Sequence, residues 1–135
     1  VFPDASGVVA GGSSVEDGLV AGRDLLSRTP RPTAIIAQSD LLALGVIRAA
    51  EELGLSVPDD LSVLGFDGVR IEGAAPHELT TLVQPAVDKG RAAGGAVIAL
   101  LNGDRPEPSR FTSQLRIGTT TAPAPSSAAP SSGSA

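Results

Sequence analysis

The stretch PTAIIAQSDLLALGVIRAAEELGLSVPDDLSVLGFDG, residues 32–68, decides the fold. It opens on an apolar run, Thr33 to Ala37, of strand rather than helix length. Gln38-Ser39-Asp40 then turns the chain into a helix, whose Leu42, Val46, Ala49 and Leu53 recur at helical spacing. Gly54 stands where a left-handed C-cap is wanted. Leu55 to Asp60 lead to a second apolar run, Leu61 to Phe66. Strand, helix and strand in this order, with near-continuous apolar strands, predict a parallel sheet covered by helices.

The pattern extends outward on both sides. Val8-Val9-Ala10 is a short strand candidate. Ser13 and Glu16 have capping-box spacing, and Val15, Gly18, Leu19, Gly22, Leu25 and Leu26 follow at helical spacing until Arg28 and Pro30. Downstream, a loop from Asp67 to Glu78 carries His77. Leu79 to Val83 make another strand. Pro85 is placed to open a helix with Val87, Gly90, Gly94, Val97, Ile98 and Leu101 on one face, and Asn102-Gly103 stops it. Phe111, Ser113, Leu115 and Ile117 alternate with Thr112, Gln114 and Arg116, as an edge or half-exposed strand does. The expectation is an α/β fold, a parallel sheet with helices on both faces, over residues 1–121. Residues 122–135 read as a disordered Ala/Pro/Ser tail, having nothing large to bury.

Bulk properties exclude several functions. The chain has 135 residues, 41% of them hydrophobic, enough for one core. Cysteine is absent and His77 is the one histidine, so neither a disulfide nor a thiolate or histidine-cluster metal site is expected. Neither metal nor cofactor is expected. The net charge is −5, Lys89 is the one lysine, and the arginines are scattered. Nucleic acid binding needs several cations on one face, so this chain by itself should not hold it. Aromatic residues are 2% of the chain, which leaves little for base stacking. No apolar stretch reaches membrane-spanning length. There is no methionine, so Val1 does not read as a translation start, and the chain is expected to be part of a longer one.

In parallel α/β folds ligands bind outside the carboxyl ends of the strands. Those positions hold Ser39, Asp40, Asp67 and Gln84, with Phe66 alongside. Carboxylates and amides beside an aromatic ring suit a neutral polyol, whose hydroxyls donate to carboxylates and whose C–H face packs on the ring. Each residue also has a plainer reading. Ser39 is a preferred N-cap, and Asp40 in a first helical turn is stabilised by the helix dipole. Asp67 before Gly68 suits an ordinary turn. Gln84 suits a solvated loop, Phe66 a core. Nucleophile-elbow and phosphate-loop motifs are absent, and no enzyme is expected. Gly11-Gly12-Ser13-Ser14 at a helix start is a weak anion signal. A metal-dependent phosphatase on Asp40 and Asp67 is a further reading.

The whole stretch, followed by LTTLVQPAVDKGRAAGGAVIALLNG at residues 79–103, resembles the effector-binding domain of LacI/GalR-family transcriptional regulators. The specific parts are Ser39-Asp40 before Leu-Ala-Leu-Gly, Leu-Gly-Leu-x-Val-Pro-x-Asp, Val-Leu-Gly-Phe-Asp and Leu-Thr-Thr-x-x-Gln-Pro. The resemblance implies about one lobe of a two-lobed, type I periplasmic-binding-protein-like fold, in a cytoplasmic regulator. It implies a small-molecule effector, a sugar or related metabolite, contacted by Ser39, Asp40, Asp67 and Gln84. It implies a homodimer with Leu44 and Arg48 at the interface, and DNA contact only through a helix-turn-helix not found in this sequence. The helix from about Ala86 to Asn102 would pack on the other lobe. Gly68 departs from the family's Asp or Asn, Pro76-His77-Glu78 from its usual approach to Leu-Thr-Thr, and Gly118 from its Arg. A sugar-binding protein of an uptake system shares the fold and is the alternative.

Overall fold

The computed structural model describes residues 7–71 and 76–124. Three helices and four strands form among them: α1 (Val15–Leu26), β1 (Ala34–Ile36), α2 (Asp40–Glu52), β2 (Ser62–Asp67), β3 (Thr80–Val83), α3 (Ala86–Leu101) and β4 (Gln114–Arg116). The sheet order is β1-β2-β3-β4. β1, β2 and β3 run parallel, and β4 joins the edge antiparallel. Val8-Val9-Ala10, expected as a strand, is not one: the described sheet ends at β1, and Val9 stands in solvent.

The capping box of α1 sits one residue later than expected. Ser14, not Ser13, is the N-cap; its Oγ accepts from the Asp17 N–H at 3.1 Å, while Asp17 Oδ2 accepts from the Ser14 N–H at 2.9 Å. The Ser14 hydroxyl also donates to Asp17 Oδ2 at 2.5 Å, and this bond first, then that from the Ser14 N–H, holds the Asp17 carboxyl below its ordinary value. Ser39 caps α2 by accepting from the Leu42 N–H at 3.2 Å. Gly54 and Gly103, at φ +72° and +86°, follow the ends of α2 and α3, where a left-handed residue satisfies the last carbonyls.

α2 is the centre of the packing. It is buried at Ala43, Leu44, Gly45, Val46, Ile47, Ala49 and Ala50, a wider band than its sequence stripe, because α1 lies against one side and β2 against another. Leu42 is only partly buried and Leu53 is exposed. The core joins this band to Leu25, Leu26, Ile35, Leu61 and Val63. Each large side chain so buried stabilises the fold by roughly 1.5–3 kcal/mol. The helices approach closely through glycine: a Cβ at Gly45 would strike the carbonyl of Val15 and the N–H of Leu19.

Pairing register sorts the strand residues onto two faces. Ile35, Val63, Gly65, Thr81 and Arg116 share the face toward α2; Ile36, Leu64, Phe66, Leu82 and Leu115 share the other. That second face stays open: Ile36 is 79% and Leu115 55% exposed. The helix at Ala86–Leu101 has no buried residue, and its Leu101 is 81% exposed. Beyond β4, the chain crosses the starts of β2 and β3. Thr120, fully buried, donates to the Val63 carbonyl at 2.7 Å and accepts from the Thr80 N–H at 2.9 Å.

Candidate ligand site at the carboxyl edge of the sheet

Because β1, β2 and β3 are adjacent and parallel, their carboxyl ends line one edge. Ser39 follows β1, Asp67 ends β2 and Gln84 follows β3. The fold therefore brings to one edge residues that lie 28 and 17 positions apart in the chain.

Asp67 is the most unusual of them. Its φ is +114°, the one positive φ at a non-glycine position among the described residues. Such a backbone costs of order 1–3 kcal/mol and persists only where its surroundings hold it. Here the Asp67 carbonyl accepts from the Gln84 N–H at 3.0 Å, and Gly68 follows at φ +80°. A Cβ at Gly68 would sit 2.8 Å from Val83, so the turn needs glycine for space as well as for φ. The Asp67 side chain is exposed, and its carboxylate makes no side-chain hydrogen bond among the described residues, which leaves its oxygens open to hydroxyl donors.

Gln84 is half-buried and held at both ends. Its Nε2 donates to Ser113 Oγ at 2.7 Å and its Oε1 accepts from Lys89 Nζ. Sequence reasoning passed over Lys89 and Ser113. Lys89 lies in the first turn of the helix that starts directly after Gln84, and Ser113 faces Gln84 from the residue before β4. Phe66 is 36% exposed, not core, and lies on the sheet face opposite α2, paired with Leu82.

Asp40 departs from expectation. It is fully buried, with Oδ1 accepting from the Thr81 hydroxyl at 2.5 Å and Oδ2 from the Val69 N–H at 2.8 Å. Both oxygens accept hydrogen bonds inside the protein, so in this structure Asp40 does not form an open carboxylate pair with Asp67. The phosphatase reading fails on that geometry. Among the described residues no group of three or more His, Asp or Glu is arranged to hold a metal ion.

A separate cleft of about 450 Å³ lies between α2 and the loop after β2, lined by Leu44, Ile47, Arg70, His77 and Arg116 among others. Leu44 is 5% exposed on its wall, whereas Arg48 is exposed. His77 reaches across to Glu51 at 3.2 Å, and Arg116 Nη1 donates to the Gly68 carbonyl at 3.3 Å. No helix among the described residues is long and apolar enough to cross a membrane.

A profile of the periplasmic binding protein-like domain matches residues 2–121. Catabolite control protein A of Priestia megaterium is 41% identical over 86 residues, 64% of this chain and 26% of that protein. The HTH-type transcriptional repressor PurR of Escherichia fergusonii is 38% identical over 110 residues, 82% of this chain and 32% of that protein. The chain thus spans about a quarter to a third of the length of these relatives. A LacI family transcriptional regulator from Bifidobacterium animalis subsp. lactis superposes with a TM-score of 0.73 at 34% identity, covering 83% of this chain and 42% of that one. A LacI family regulator from Arthrobacter sp. FB24 in complex with lactose superposes with a TM-score of 0.69 at 28% identity, covering 84% and 44%.

Proposed function

The chain belongs to the periplasmic binding protein-like family, its relatives are LacI-family regulators, and on that premise we propose that it is the effector-sensing part of such a regulator. The ligand class that fits is a neutral sugar or related polyol. The observation that carries this is Asp67: a strained backbone presents an unpaired carboxylate at the strand edge, beside Ser39 and Gln84. Strain of this kind clusters at ligand clamps, because a relaxed backbone would aim the side chain elsewhere. Relatedness to a regulator solved with lactose supports the same class.

The role we assign to this edge is recognition of a ligand's hydroxyl groups by a carboxylate and an amide. A ligand bridging this edge to a second lobe would shift the regulator between DNA-competent and DNA-incompetent states by its differential affinity for them. Operator contact falls to a helix-turn-helix elsewhere in the regulator, and the setting is the cytoplasm. Dimerisation through α2 belongs to the same proposal, with exposed Arg48 as the contact; Leu44 contributes from the cleft wall.

Calorimetric titration with lactose and with glucose tests the reading. Saturable binding of either, weakened at least about tenfold by Asp67→Ala, supports it; a hydrogen bond to a charged group is worth that much. No saturable binding of either, or binding that Asp67→Ala leaves unchanged, overturns it.

A further inference from the structure

We infer that Asp40 is a positioning residue: its buried carboxylate is the tie that holds Asp67 in its strained backbone. The inference rests on Asp67 being the ligand-presenting group, and it gives Asp40 a role without ligand contact.

The strained turn is pinned from two sides. Before it, the Asp67 carbonyl accepts from the Gln84 N–H of the neighbouring strand's end. After it, the Val69 N–H donates to Asp40 Oδ2 at 2.8 Å. Between these pins lies Gly68 at φ +80°, and the first pin directly follows the Asp67 Cα, whose φ is +114°. Among the described residues 68–71, the polar contact that remains without the second pin is that of Arg116, an exposed side chain 3.3 Å from the Gly68 carbonyl. The Asp67 backbone would then relax toward an ordinary extended strand, and its carboxylate would turn away from the edge.

Asp40 is built to serve as the pin. It is the first residue of α2, directly after Ser39, so the helix fixes its position. The Thr81 hydroxyl, itself buried, donates to Oδ1 at 2.5 Å and orients the carboxylate. Gly65 makes the room: a Cβ there would collide with Asp40 Oδ1 and lie 2.8 Å from Leu79. One carboxylate thus joins the start of α2 after Ser39, the turn after Asp67, and β3, the strand that leads to Gln84.

The test needs no sugar. In the 135-residue chain, the three-bond amide–Cα proton coupling of Asp67 reports φ, and amide exchange at Val69 and Gln84 reports the pins. Asp40→Asn turns a donor amide or a single acceptor on two donors. The expected result is an Asp67 coupling shifted to the extended-strand value and roughly tenfold faster exchange at Val69, with Val46 and Ala49 in the core unmoved. Should that variant fail to fold, Thr81→Val removes the orienting hydroxyl at equal volume and should move the same signals, while Thr81→Ser restores them. An unchanged Asp67 coupling in folded Asp40→Asn or Thr81→Val overturns the inference, as does exchange that rises equally across α1 and α2. Lactose titration stands apart: its failure removes the sugar reading and leaves these backbone signals as they are.

Discussion

The two faces of one sheet behave oppositely. Toward α2, Ile35, Val63, Gly65 and Thr81 are buried, with α1 stacked behind. On the other face Ile36, Phe66 and Leu115 remain open to solvent, and α3 carries Val87, Val97, Ile98 and Leu101 without burying any of them. Apolar content does not separate these regions. What differs is what packs against them: α1 and α2 cover the first face, whereas α3, although it follows β3 after only Gln84 and Pro85, buries none of its own residues. Stability should therefore concentrate on one side, with Asp67 at the border where that side meets the candidate site.

Substitutions grade this contrast. Gly45→Ala attacks the packed side at its tightest point, forcing a Cβ into the backbone of α1, and should destabilise by about 3 kcal/mol or more in urea unfolding. A normal midpoint would show that the α1–α2 contact contributes little and would erase the contrast. Ile47→Ala opens a cavity in the same region and should cost about 2–5 kcal/mol. At the border the sign reverses: Asp67→Gly relieves the positive φ and should stabilise by about 1 kcal/mol while abolishing sugar affinity. Ser14→Ala removes the cap of α1, for about 1 kcal/mol.

That cap also has a pH signature. The Asp17 carboxyl is held below 3.8 in the folded protein. A depressed folded value means stability that is full above 3.8 and fades as pH falls through the folded value. Acid unfolding of Ser14→Ala should lack this contribution. The smallest effect belongs to the open side. Leu101→Glu on α3 should shift the midpoint by less than about 0.5 kcal/mol, yet reduce binding of a hydrophobic dye. A large loss of stability there would mean that α3 is packed after all.

The strand–helix–strand unit at residues 33–66 was legible because its period, its Ser39 cap and its Gly54 stop agree. Asp67, Gln84 and Ser39 were legible as edge positions because parallel topology alone puts them there. The fate of Asp40 was not. Its partners Thr81 and Val69 lie 41 and 29 residues away, and no local spacing foretells them. The cap of α1 slipped by one because Ser13-Ser14-Val15-Glu16-Asp17 spells the same box in two frames; Asp17 won over Glu16. The open face was invisible, since burial depends on what packs against a residue and not on its own hydropathy. Thr120 was missed for the converse reason: a small polar residue beside a low-complexity tail turned out to be buried.

The crossing made by Thr119 to Ala122 bears on how this polypeptide is born and handled. Val63 exchanges hydrogen bonds with Thr120, made 57 residues later, and Ser62 does so with Ala122. Until that late segment leaves the ribosome, the first residues of β2 have no partner on that side, so the nascent chain should stay protease-sensitive until Ala122 has emerged. Trimming back to Ala124 leaves every one of these bonds in place, whereas a cut before Thr119 removes them together. An affinity tag or fluorescent fusion therefore belongs after Ala124.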